Sequence, residues 1–308
     1  MLAINNVLLI LDQELENEVA IKRAMQLCQE QDAKLYVTSY VYNHACEEGS
    51  LIDLDIRHNF QELLIERTEK WALETLQQCY LPSDTPLSIC WCNHAYQAAI
   101  ENSRQASFDL IIKAAAKHHS LVDRVMQHQD WNLLKQSPAP VLLVKQKAAW
   151  ESRNIIAAVD ATSTDDAHKH INEHIFEFAE LINKDQLYTI HLVNSYPIMS
   201  LALASLPDTP IPEDLQQYVM DQHYNAAEAL AAKYNIAENN MHVKEGEAEE
   251  VITETSQHLD ADVVIIGILA DASLSSVLLG STLEHVLDNT DSDVLGIKPQ
   301  DGVGDLEE

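Results

Sequence analysis

Glycine, proline and positive charge are all scarce in this 308-residue chain, and each shortage excludes something. Seven glycines and nine prolines leave no room for a collagen-like repeat or a low-complexity tether. Nineteen Lys and Arg face forty-nine Asp and Glu, a net charge of −30. That field repels nucleic acid and anionic membrane surfaces, so neither is expected as a partner. No apolar run approaches the ~20 residues of a membrane-spanning helix. The apolar opening Val7 to Leu11 lacks a basic flank, which makes it a strand and not a signal peptide. The five cysteines, Cys28, Cys46, Cys79, Cys90 and Cys92, form no CxxC pair and leave one unpaired in any complete disulfide scheme. A reducing compartment suits them, and a cytoplasmic protein is expected. Cys90-x-Cys92 falls on a predicted strand, where alternate residues share a face, so the pair reads as packing, with a redox pair as the alternative. No nucleophile elbow, phosphate-loop lysine or catalytic dyad appears, which argues against an efficient hydrolase.

Against these absences, 46% of the residues are apolar, enough for two ordinary cores. The halves begin alike: Val7 to Leu11 ends in Asp12 and Ile155 to Val159 ends in Asp160, 148 positions apart (160 − 12). Asp109 and Asp262 stand 153 apart, as do Lys145 and Lys298. The chain therefore reads as a tandem duplication, with domains at 1–148 and 153–300 and a solvated acidic tail at 301–308. Each half alternates strand and helix, which implies a parallel sheet covered on both faces. The expected helices include His170 to Ile182 and Phe60 to Gln78, and the expected strands include Leu187 to Val193 and Val263 to Ile266.

The most informative stretch runs from Asp262 to Lys298. An unbroken β-branched run, Val263 to Ile266, leads into Gly267, which can take positive φ and admit a ligand close to the backbone. Ser281 with Glu284 three residues on is a capping-box start, so a helix is expected to open at Gly280-Ser281-Thr282 with its free N–H groups facing an anion. Gly267-x2-Ala270-x9-Gly280-Ser281 resembles the Gly-x2-Gly-x9-Gly-Ser/Thr nucleotide signature of the universal stress protein family, with Ala270 in place of the second glycine. The resemblance extends over about residues 5 to 299 in two copies.

That resemblance implies an α/β fold: two tandem doubly wound domains, each with a five-stranded parallel sheet. It further implies that the last strands pair edge to edge and antiparallel, Val141 to Val144 against Val294 to Ile297, in an internal pseudo-dimer; a homodimer of whole chains stays open. It implies adenine nucleotide, ATP or a relative with or without magnesium, at the carboxyl ends of the strands. The residues matching the family's contacts are Ala158, Asp160, Leu192, Gly267, Ala270, Gly280, Ser281 and Thr282. In the first half Ala114, Lys117, Gln127 and His128 replace Gly267, Ala270, Gly280 and Ser281, so that half is expected to bind no nucleotide in the family manner.

Two features complicate this. Asp271 occupies a loop position that is often basic in nucleotide-binding members, and no Lys or Arg occurs from Asp262 to Ile297, so phosphate would meet only backbone dipoles unless a divalent cation intervened. Histidines cluster at His118, His119 and His128, on the vacated loop of the first half, and at His168, His170 and His174; zinc is the ion that either set would suit, the first being the better candidate. The reading is a stress-response protein whose second domain is a ligand-responsive module and at most a weak ATPase. The alternatives are an interaction scaffold without nucleotide, and a carrier of another phosphorylated ligand.

Overall fold

A computed structural model describes residues 3–47, 53–116, 121–145, 149–198, 214–268 and 274–299. The chain divides into two units, Ala3–Ala148 and Ala149–Glu308. The first unit runs β1 (Asn6–Leu11), α1 (Glu18–Gln31), β2 (Lys34–Val41), α2 (Leu54–Gln78), β3 (Leu87–Trp91), α3 (Ala95–Ala106), β4 (Leu110–Ala114), α4 (Leu121–Gln136) and β5 (Val141–Val144). The second repeats it as β6 (Asn154–Ala158), α5 (Asp166–Ile182), β7 (Thr189–Tyr196), α6 (Leu215–Lys233), β8 (Met241–Glu245), α7 (Ala248–His258), β9 (Val263–Gly267), α8 (Leu274–Asn289) and β10 (Asp293–Ile297).

Within each unit the strands are parallel, in the order β3-β2-β1-β4-β5 and β8-β7-β6-β9-β10. The chain starts in mid-sheet, winds outward one way, then crosses back past its first strand, which gives the doubly wound α/β fold. Apolar runs set the layers. Ile155, Ile156, Ala157, Val263, Val264 and Ile265 are wholly inaccessible, as central strands covered on both faces must be. α5 turns Ile171, Ile175, Phe178, Ala179 and Ile182 onto the sheet, and its Phe176 stacks on Tyr234 with ring centroids 4.1 Å apart.

The duplicated aspartates turn out to be staples. Asp109 Oδ2 accepts from the backbone N–H groups of Asn5 and Asn6 at 2.8 and 2.9 Å, and Asp262 Oδ2 accepts from Arg153 N at 2.6 Å. Each carboxylate thus ties the entry of the fourth strand of its unit to the entry of the first. Scarce glycine also leaves a trace at the helix ends. After α1, α2, α6 and α7 the chain closes with a backbone N–H reaching back five residues (Ala33 to Cys28, Leu81 to Leu76, Ile236 to Ala231, Ala261 to Ser256). The left-handed residue this closure needs is Asp32, Tyr80, Asn235 or Asp260, with φ between 49° and 60°.

Four elements depart from the sequence expectation, the first being β7, which runs Thr189–Tyr196 where Leu187 to Val193 was expected. α2 begins at Leu54, six residues before Phe60, because Asp53 Oδ1 caps it by accepting from Asp55 N at 3.0 Å. α5 begins at Asp166, four residues before His170, because Asp165 caps it. α8 begins at Leu274, so Gly280, Ser281 and Thr282 stand inside the helix and not at its opening. The physical reason is that Leu274 to Leu279 contains no breaker, and one interior glycine costs a helix only about 1 kcal/mol.

Candidate functional site

At the carboxyl ends of β6, β7 and β9, where the strand order of the second unit reverses, lies a cavity of about 360 Å³. Its floor is apolar, from Ala158, Ile171, Val193, Ile252 and Ile266. Its polar groups come from the loop after β6 (Asp160, Thr162), the end of β7 (Asn194, Ser195, Tyr196), α6 (His223), the turn before α7 (Gly246, Glu247) and α8 (Thr282).

The β6 loop is held in one shape. Asp160 Oδ1 accepts from Thr162 N at 3.1 Å and Thr162 Oγ1 at 3.0 Å, and Asp160 O accepts from Asn172 Nδ2 at 2.7 Å. Asn194, 2% exposed, fixes the same loop from β7: its Oδ1 accepts from Ala161 N at 2.9 Å, while its Nδ2 donates to Ser195 O and to His223 Nδ1, both at 3.0 Å. His223 is therefore an acceptor at Nδ1. Burial lowers its pKa, opposed by the charge of Asp160.

At the mouth, Asp165 caps α5 by accepting from His168 N at 2.9 Å, and takes His168 Nδ1 and Ser163 Oγ on its other oxygen at 2.6 and 2.7 Å. The His168 backbone N–H and then the Ser163 hydroxyl hold the Asp165 carboxyl down at about 2. Thr282, 7% exposed, donates to Glu249 Oε2 at 3.0 Å. Gly246 supplies the turn into α7 with φ +141°, and its N–H reaches Tyr196 O at 3.0 Å. A Cβ there would be strained by the backbone and would sit 3.2 Å from Val251 Cγ2.

The residues singled out from sequence divide into three groups. Ala158, Asp160, Gly267 and Thr282 meet at the cavity. Leu192 does not: it is wholly buried inside β7, paired with Ala157 and Met241, and the strand runs on so that Val193 to Tyr196 reach the cavity instead. Ala270, Asp271, His118 and His119 lie outside the described residues, as do the side chains of Ser281 and His128. Gly267 does its work differently from expectation. It continues β9 in register with Ile297, without the left-handed backbone foreseen for it, and a Cβ on it would lie 2.9 Å from two Ile171 side-chain carbons. Close helix-to-strand approach is what needs glycine here.

His168, His170 and His174 do not converge; they turn to Asp165, to Glu173 Oε2 at 3.7 Å and to Lys298 O at 3.5 Å. Among the described residues no group of three or more His, Cys, Asp or Glu side chains is arranged to hold a metal ion. Asn194, His223 and Gly246 were missed from sequence. Gly246, in a chain with seven glycines, was the available signal.

In the first unit the equivalent place is filled. Ala95, Lys113 and Gln129 stand 153 positions before Ala248, Ile266 and Thr282, around a space of only about 10 Å³. Lys113, 4% exposed at the end of β4, donates its Nζ to Asp130 Oδ1 at 2.8 Å and lies 3.5 Å from Asp12 Oδ2, the counterpart of Asp160. The second Asp130 oxygen accepts from Ala116 N at 3.0 Å. Burial opposes the lysine's charge, but the two carboxylates prevail and raise its pKa. A buried ammonium satisfied by two carboxylates thus stands where the second unit has open space.

The sequence profile described as "Universal stress protein family" matches residues 3–145 and again 151–298. Universal stress protein E of Escherichia coli (strain K12) is 31% identical over 301 residues, covering 96% of this chain and 94% of its own. A putative universal stress protein from Pseudomonas aeruginosa UCBPP-PA14 superposes with a TM-score of 0.68 at 27% identity, over 97% of this chain and 95% of that one. A functionally unknown protein from Pseudomonas aeruginosa PAO1 gives 0.69 at 26%, over 97% and 94%. Among the described residues no helix is long and apolar enough to cross a membrane. With the profile matched in both units and the fold shared along nearly the whole chain, this protein belongs to the universal stress protein family and carries two of its domains in tandem.

Proposed function

We propose that the second unit is a ligand-responsive module that binds an adenine nucleotide, or the nucleoside part of one, and that the first unit binds none. The observation that carries this reading is the asymmetry between the units: a cavity of about 360 Å³ over β6, β7 and β9, against a lysine-filled remnant of about 10 Å³ over β1 and β4. The cavity lies at the topological switch point, where open α/β sheets take their ligands. Its size falls at the lower end of the ~300–1,000 Å³ usual for small-molecule sites. An apolar floor for a flat base, ringed by fixed hydrogen-bonding groups at Asp160, Asn194 and Ser195, suits a nucleoside.

The role this reading gives the site is binding, with hydrolysis slow at best. Mass spectrometry of small molecules released from freshly purified protein, paired with thermal melting in added adenosine and ATP, tests the reading. An adenine compound in the released fraction, or a melting temperature that rises with adenine ligand and stops rising in Ser195→Trp, is expected. Neither effect, in protein that melts cooperatively, would leave the interaction-scaffold reading in its place.

A further inference from the structure

The electrostatics of the same cavity go further than its shape. Among its described lining residues there is no lysine or arginine; the side chains able to become cationic are His168 and His223. Neither is offered to a ligand as a free charge. His168 is turned onto Asp165 Oδ2 at 2.6 Å, and His223 Nδ1 accepts from Asn194 Nδ2 at 3.0 Å. Two carboxylates, Asp160 and Glu247, share the lining, and a third, Glu249, stands directly behind Thr282.

Two of the helix ends beside the cavity are already occupied by acids. α5 is capped by Asp165 and carries Asp166 in its first turn, and α7 carries Glu249 and Glu250 in its own. An N-terminal dipole answered by two carboxylates has little left for a phosphate. The sequence from Asp262 to Ile297, from which Ile266, Gly267 and Thr282 reach the lining, contains no lysine or arginine.

Resting on the adenine-nucleotide reading above, we infer that this site selects its ligand by the nucleoside end and discriminates against polyphosphate, so that an uncharged adenine nucleoside is preferred to ATP. Repulsion between a phosphate chain and carboxylates that face no lysine or arginine on the described lining supplies the discrimination, and it must weaken with salt.

Calorimetric titration of the full chain with adenosine and with ATP, at pH 8 in EDTA, tests this. At about 20 mM salt ATP is expected to bind roughly tenfold more weakly than adenosine, with the gap narrowing toward 0.3 M salt as the Debye length shortens. Glu247→Lys is expected to tighten ATP more than adenosine, by about tenfold at low salt. ATP binding as tightly as adenosine or more so in EDTA, or a Glu247→Lys variant that moves both ligands equally, would overturn the inference and leave the nucleotide reading standing. Binding of neither ligand would instead overturn the nucleotide reading itself, and this inference with it.

Discussion

His191 on β7 is 6% exposed and sits between two partners, Asn154 Oδ1 at 3.2 Å from its Nε2 and His242 Nε2 at 3.1 Å from its Nδ1. Both contacts are satisfied when the ring is neutral, with Nε2–H donating to Asn154 and Nδ1 accepting from His242. Burial first, and the neighbouring His242 second, push its pKa down from 6.5 to about 4. Between those values the unfolded chain binds a proton that the folded one refuses. The stability this ring contributes is therefore complete above pH 6.5 and drains away as pH falls toward 4. Urea unfolding at pH 7.5 and pH 5 should show the parent losing roughly 1–2 kcal/mol more than His191→Gln. Equal losses would contradict the assignment. Tyr80 offers a second test at this scale. It is 89% exposed with φ 60°, so Tyr80→Gly relieves a left-handed backbone while removing little packing. The left-handed penalty of about 1–2 kcal/mol is offset in part by the entropy of glycine, for a net gain of roughly 0.5–1 kcal/mol. A fall in thermal midpoint would count against it.

Among the elements, α5 and β9 approach closely at the second unit's site. Gly267→Ala places a methyl 2.9 Å from Ile171, and overpacking of this kind costs about 1–3 kcal/mol. Ile171→Ala in the same chain should recover part of that loss, since the two side chains would compete for one volume. A double variant no better than the sum of its parts would show that another contact is at fault. β4 and α4 give the matching test in the first unit. Lys113→Met leaves Asp12 and Asp130 without their buried cation and should cost about 3–5 kcal/mol, whereas Lys113→Met with Asp130→Leu, which imitates Ile266 and Leu283, should restore most of it. Denaturant midpoints of the two variants decide the matter.

These elements also show where sequence reading succeeds. Alternation of β-branched strands with amphipathic helices, repeated in the two halves, was enough for a parallel sheet covered on both faces, and the family resemblance added the doubly wound order. Asp109 and Asp262 were visible as a repeat, but not as staples, since a backbone N–H donor leaves no mark on residue type. Gly267 was marked for a positive φ and for a ligand's approach, whereas the structure shows strand backbone there with the Ile171 side chain close against it. Glycine fits both, and only the position of Ile171 separates them. Lys113, a single lysine in the run Leu110 to Ala114, was the unread signal that the first site had been filled from within.

At the scale of the whole molecule, duplication has produced two domains with the same strand order and opposite fates at the same place. One keeps an open cavity. The other holds a buried ion pair there. A net charge of −30 makes every anion, nucleotides included, pay a repulsive cost that salt reduces. Low-salt affinities for charged and uncharged ligands must therefore be compared at matched ionic strength.

The central claim is one adenine ligand per chain, held by the second unit. Isothermal titration of adenosine into the full-length protein addresses it most directly, run beside Ser195→Trp in the second unit and the Lys113→Met, Asp130→Leu pair in the first. The account predicts a stoichiometry near one that is lost in Ser195→Trp and kept in the first-unit pair. A stoichiometry near two, or binding that survives Ser195→Trp and disappears in the first-unit pair, would contradict it.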